Sequence, residues 1–163
     1  MVIGLSVGKK YGSAKNHCCN LEVRGASYVE TGFLEVNDTE SHQRCLDLAM
    51  KKLGNTDIAL KAHGTLGGQK ACEQDPALAL KELYTNAMST ISLLTVLANM
   101  MEPQGQGTIA VISSVADDRG RPSNYVYGTA KAAVSAYCEG MMLAFINMGV
   151  LLLTVKPGIV PLP

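Results

Sequence analysis

The stretch "GTIAVISS" (Gly107–Ser114) is followed a short loop later by "YVYGTAK" (Tyr125–Lys131). The first is a continuous apolar run rich in β-branched residues and closed by two hydroxyls, the pattern of a strand buried on both faces. Reading outward, Asp75-Pro76 pairs an N-cap acid with proline at the first helical position. From there Leu80, Leu83, Ala87, Ile91, Leu94, Ala98 and Met101 recur at steps of three and four, which predicts one long amphipathic helix ended near Pro103. Downstream, a second helix is expected from about Asn124 to Asn147, stopped by Gly149, and then a buried strand, "VLLLTV" (Val150–Val155). Upstream, "DIALKA" (Asp57–Ala62) reads as a strand and "TESHQRCLDLAMKKLG" (Thr39–Gly54) as the helix before it. "ASYVETGFLEV" (Ala26–Val36) is expected to hold a further strand. Strands alternating with helices define an α/β protein with a Rossmann-like, doubly wound parallel sheet flanked by helices.

The chain has 163 residues, one domain's worth, and no repeat or composition shift divides it. We read 1–163 as a single, partial Rossmann-like domain. A hydrophobic share of 47% with 17% charged residues describes a soluble globular protein. The formal charge is zero and no Lys/Arg run is interleaved with aromatics, which argues against a nucleic-acid surface. Five cysteines without a C-x-x-C spacing fit reduced thiols in a cytoplasmic protein better than a disulfide framework. The apolar stretch Met141–Val155 is shorter than the roughly 20 residues a membrane span requires and is interrupted by Asn147 and Gly149. A helix end, a turn and a strand explain it. His17, Cys18 and Cys19 are adjacent, a spacing that rarely converges on one ion, so no metal is expected.

The chemistry is carried by Tyr127 and Lys131, four residues apart on one helix face. A free phenol has a pKa of about 10 and exchanges protons poorly at neutral pH. A nearby cation favours the phenolate and lowers that value, so Tyr-x-x-x-Lys is a sensible way to make a tyrosine acid or base toward an alcohol or ketone. Ser114 ends the preceding strand, at the carboxyl edge where parallel sheets place ligands. A hydroxyl there can donate to a carbonyl oxygen as negative charge grows on it.

With these motifs in order, the sequence from about Ala26 to Ile159 resembles the short-chain dehydrogenase/reductase family. "AHG" (Ala62–Gly64) stands where the family has Asn-Ala-Gly, "TNAMS" carries Asn86, "VISS" supplies Ser114, "YVYGTAK" supplies Tyr127 and Lys131, and "VKPGIV" matches a Pro-Gly turn. The resemblance implies an NADP- or NAD-dependent oxidoreductase that interconverts a ketone and a secondary alcohol. By it, Tyr127 is the proton donor and acceptor, and Lys131 lowers its pKa while holding the nicotinamide ribose. Ser114 orients the carbonyl, and Asn86 joins a water relay. It also assigns cofactor contacts to Lys9, Glu35, Val36, Ala62, Gly64, Pro157, Gly158 and Ile159. His63 replaces a family asparagine and is expected to be a local hydrogen-bonding substitute. The implied partners are a small carbonyl or alcohol substrate and other copies of the chain, through the two long helices.

The opening "MVIGLSVGKKYGSAK" departs from the family. A phosphate loop would read Gly-x-x-x-Gly-x-Gly, and Gly4 and Gly8 fit it, but Lys10 stands at the third position. The apolar run before Gly4 is also short for a central strand. A second alignment, which we favour, makes "VIGLSVGKK" the family's second strand, with Lys9 and Lys10 where NADP-preferring relatives carry a basic residue. The first strand and phosphate loop are then missing or degenerate. In that case the vacancy lies mid-sheet, and either the opening segment fills it or unpaired strand edges remain. Lys61, inside an expected buried strand, is a further departure. A catalytically silent remnant, or an oligomerising interaction module without cofactor, is the alternative functional class.

Overall fold

The computed structural model describes residues 2–5 and 28–158. Four parallel strands, β1 (Val2–Leu5), β2 (Ile58–Lys61), β3 (Gly107–Ile112) and β4 (Val150–Val155), lie in the order β1-β2-β3-β4. Helix α1 (Ser41–Leu53) precedes β2. After β2 come α2 (Gln69–Gln74), α3 (Pro76–Leu83) and α4 (Ser89–Met101), with a π-helical turn at Tyr84–Met88 joining the last two. Helix α5 (Tyr125–Ala144) links β3 to β4.

Register fixes which side chains share a face. Ala59 pairs with Ile109, and Ile109 with Leu152, while Ile58 pairs with Thr108 and Thr108 with Leu151. The first set is buried in one core with Leu93, Leu94 and Leu97 of α4 and Ala130, Val134 and Cys138 of α5. Each fully buried leucine there contributes about 1.5–3 kcal/mol of transfer free energy. Parallel strands need right-handed crossovers, and an order that steps one way places every crossover helix on the same face. The connectivity therefore dictates a one-sided core among the described residues.

The opening segment fills the first-strand position, with Val2 opposite Ile58 and Leu5 opposite Lys61. Placing it as a second strand beside an empty slot is thereby corrected: backbone groups of β2 that would be left open are paired instead. The strand has four residues, and the expected phosphate-loop region, with Lys9 and Lys10, lies outside the described residues. So does the segment taken as the following helix. The strand expected within Ala26–Val36 does not form among residues 28–36, which are irregular until the turn at 36–37.

Asp75 caps α3 as predicted, its Oδ1 accepting from the backbone N–H of Ala77 at 2.8 Å with Pro76 at the helix start. The long helix expected from there runs on to Met101, with the π turn at Tyr84–Met88 set into it. Ala87, Leu94, Ala98 and Met101 of the predicted stripe are buried and Leu80 is 65% exposed, while Leu93 and Leu97, outside the stripe, are also fully buried. The π turn adds one residue to the helical path, which three-and-four periodicity does not reveal, and the buried face after it is wider than the predicted stripe. The apolar stretch Met141–Val155 divides as expected into the end of α5, a turn and β4. No helix among the described residues is long and apolar enough to cross a membrane.

Candidate active site

At the carboxyl edge of β2, β3 and β4 lies a cleft of about 420 Å³ whose walls include Gly64, Ser114, Arg121, Tyr127, Lys131 and Pro157. Three elements meet there. Ser114 leaves β3 in an extended conformation, and its Oγ accepts from the Ala116 N–H at 3.2 Å, which winds the chain into a short 3₁₀ turn at Val115–Asp117. Helix α5 docks on that turn at Gly128: a Cβ there would sit 2.8 Å from the Ala116 carbonyl oxygen. Only glycine allows so close an approach, and it brings the half-buried Tyr127 beside Ser114. The glycine inside "YVYGTAK" is the signal for this contact that the sequence carries.

Lys131 is buried at 3% exposure; its Nζ donates to the Ile112 carbonyl oxygen at 2.9 Å and lies 5.5 Å from the centre of the Tyr127 ring. Burial lowers the lysine's pKa, and the Asp117 carboxylate opposes that shift. The phenol behaves otherwise than the spacing alone implies. Burial raises the Tyr127 pKa above its ordinary value, a hydrogen bond with Ser114 pulls it down, and Asp117 pushes it up again. Here the ammonium sits over the ring face, held by a strand carbonyl.

Asp117 joins the three elements. Its carboxylate accepts from Ser113 Oγ at 3.0 Å, from Ser135 Oγ one turn beyond Lys131, and from Lys156 Nζ at 2.9 Å. Burial pushes its pKa up, but the hydrogen bonds from Ser135, Lys156 and Ser113 outweigh that, and the group stays below the usual carboxylate value. Lys156 immediately precedes the Pro157-Gly158 turn, so one carboxylate ties the Ser114 loop, the Tyr127–Lys131 helix and the end of β4.

Asn86 sits in the π turn, fully buried, outside the cleft lining. Its Oδ1 accepts from the Thr65 N–H at 2.9 Å and its Nδ2 donates to the Glu82 carbonyl oxygen at 3.0 Å, with Thr65 Oγ1 and Glu82 Oε2 each at 3.2 Å. Glu82 also accepts from Thr65 Oγ1 and the Gly67 N–H, clamping the loop after β2 onto α3. At Gly64 an added Cβ would lie 3.1 Å from Asn86 Oδ1 and 3.8 Å from Lys131 Nζ. Asn86 and Lys131 thus approach each other behind a residue without a side chain.

The remaining expected contacts divide. Ala62, Gly64, Pro157 and Gly158 line the cleft. Val36 is buried beside a neighbouring cavity, its carbonyl oxygen bonded to His42 Nε2 at 3.0 Å, and Glu35 is exposed. His63 lines both cavities. Its Nε2 bonds Ser89 Oγ at 3.0 Å and its Nδ1 has no partner. Burial, then the charges of Lys61 and Lys131, lower its pKa to about 3, so it is neutral at physiological pH. Lys9 and Ile159 lie outside the described residues.

Nothing in the described wall opposes a nicotinamide cofactor. Lys131 has donors beyond the one spent on Ile112, and the bare Gly64 leaves room for a sugar to approach them. No group of three or more His, Cys, Asp or Glu side chains that could hold a metal occurs among the described residues.

The family model for short chain dehydrogenases matches residues 8–161. An uncharacterised oxidoreductase of Mycobacterium tuberculosis is 37% identical over 140 residues, 86% of this chain and 56% of the relative. Among solved structures, an NAD+-bound xylitol dehydrogenase superposes with a TM-score of 0.85 at 20% identity, covering 96% of this chain and 60% of that one. A gluconate 5-dehydrogenase from Burkholderia cenocepacia, in complex with NADP and tartrate, gives 0.83 at 20% identity with the same coverage. The chain belongs to the short-chain dehydrogenase family and has its Rossmann-like fold. It spans little more than half the length of the curated relatives it matches. These matches do not favour the catalytically silent alternative.

Proposed function

We propose that this chain forms the catalytic core of an NAD(P)(H)-dependent oxidoreductase that interconverts a small ketone and a secondary alcohol. The observation that carries the reading is the convergence of Ser114, Tyr127 and Lys131 on one cleft at the carboxyl edge of a parallel sheet. The cofactor, when bound, supplies or accepts the hydride. Ala62, Gly64, Lys131 and the Pro157-Gly158 turn would hold its nicotinamide end. Either NADP or NAD is proposed, in line with the NAD- and NADP-bound neighbours; with the opening segment in the first-strand position, the pair Lys9-Lys10 gives no ground for preferring NADP.

In the reductive direction Ser114 Oγ–H donates to the carbonyl oxygen and Tyr127 Oη–H delivers the proton to the same atom. The raised phenol pKa suits this direction, because the proton is on the oxygen throughout the neutral range. Lys131 stabilises the phenolate left behind, and Asn86, an approach away across Gly64, belongs to the path that restores the proton. A small-molecule substrate and self-association through α4 and α5 complete the proposal.

Titration calorimetry with NADPH and NADP+, and separately with NADH and NAD+, tests cofactor binding. Tyr127→Phe is expected to remove turnover with nearly unchanged cofactor affinity. An unaltered rate in that variant removes Tyr127 from the mechanism.

A further inference from the structure

Arg121 stands in the wall of the same cleft as Ser114 and Tyr127. Its Nε is buried and has no hydrogen-bond partner. No ion pair to its guanidinium exists among the described residues. The nearby carboxylates are otherwise engaged: Asp117 takes Ser113, Ser135 and Lys156, and Asp118 takes the same lysine at 3.0 Å. Among the described residues the cleft wall contains no carboxylate, while Lys131 adds a second cation. A turn holds the arginine against the start of α5, the Asn124 N–H donating to the Arg121 carbonyl oxygen at 3.1 Å.

A buried donor left unmade is costly, and native proteins seldom leave one without a use. A guanidinium is always charged and presents a planar fork that matches a carboxylate or phosphate. We infer that Arg121 is an anion-recognition residue of this cleft, selecting carbonyl or alcohol substrates that carry a carboxylate or phosphate. This rests on the oxidoreductase reading and adds to it the substrate class. The same chemistry would also suit a phosphate of the cofactor, so the test separates the two sources.

The probes are 2-oxo-4-phenylbutanoate and its ethyl ester, which differ in one negative charge, titrated calorimetrically into the wild type, Arg121→Met and Arg121→Lys. The wild type is expected to bind the acid roughly 10–100-fold tighter than the ester, as one charge-assisted contact implies. In Arg121→Met the preference should fall to within about threefold, with the ester unaffected, and Arg121→Lys should retain part of it. Raising salt should weaken the acid and not the ester.

Equal binding of acid and ester by the wild type overturns the inference, as does a preference that survives in Arg121→Met. A third titration uses NADPH alone. If Arg121→Met weakens NADPH while leaving the acid preference intact, the arginine serves the cofactor and the substrate assignment falls. An Arg-dependent acid preference without turnover of either probe would count against the oxidoreductase reading while sustaining the anion site. Should Arg121→Met fail to fold by circular dichroism, Arg121→Gln takes its place with the same readouts.

Discussion

On one face of the sheet Ala59, Ile109 and Leu152 stand side by side beneath three helices, all but inaccessible to solvent. On the other, Leu60, Ala110 and Leu153 stand in the same register, and Leu151, Leu153 and Val155 are each between 44% and 53% exposed. The two rows are similarly apolar, so composition does not distinguish them. Strand order does: four parallel strands stepping one way send every right-handed crossover to one side. A doubly wound sheet covers its second face only when the order reverses, and no described strand makes that reversal.

Three substitutions test this difference, taken from the largest expected effect. Leu97→Ala on the covered face should cost about 2–5 kcal/mol in urea unfolding, since it empties a fully buried site that α4 and the strands cannot close. A cost well under 1 kcal/mol would mean that the covered face is loosely packed.

Lys61 sharpens the comparison because it is a charge on the covered face. It is fully buried, its Nζ donates to the His63 carbonyl oxygen at 2.7 Å, and burial, reinforced by Lys131, lowers its pKa to about 7. The folded-state value lies below the unfolded one, so the unfolded chain holds the extra proton between about pH 7 and 10.5. The group's penalty is therefore complete below pH 7 and fades as pH rises through that window. Lys61→Met should raise stability by on the order of 3 kcal/mol at pH 7 and flatten the stability-pH profile between 7 and 10. If the profile keeps its slope in the variant, another group is responsible.

The smallest effect belongs to the second face. Leu153→Ala is expected to change unfolding free energy by no more than about 0.5 kcal/mol, as at an exposed site. A cost comparable to that of Leu97→Ala would show that this face is covered in solution, and would make the contrast a property of the chain alone.

Much of the fold was legible in the residues. The β-branched run of β3, the Asp75-Pro76 start of α3 and the apolar run of β4 each encode a local preference strong enough to survive packing. The irregular course of residues 28–36 was not legible, because an apolar-polar pattern states which side chains want burial and not whether a neighbouring strand is present to pair with. The π turn was hidden for a related reason. Its extra residue is held by bonds of Asn86, Ser89 and Thr90 to the preceding turn, and those hydroxyls and amides look ordinary in a sequence.

The same division runs through the site. Ser114, Tyr127 and Lys131 could be named from spacing, since four residues on a helix and the end of a buried strand fix their neighbourhood. The joint made by Asp117, the clamp made by Glu82 and the unpaired Arg121 could not, because each joins elements distant along the chain. The sequence by itself determined the alternation of strands and helices and the neighbourhood that Ser114, Tyr127 and Lys131 share, both local properties of short stretches. Tertiary structure alone decided which strand lies beside which, which lysine is buried without an acid, and how acidic the phenol is. Those depend on the environment that distant segments build around each group, and burial acts on a charge only once that environment has closed.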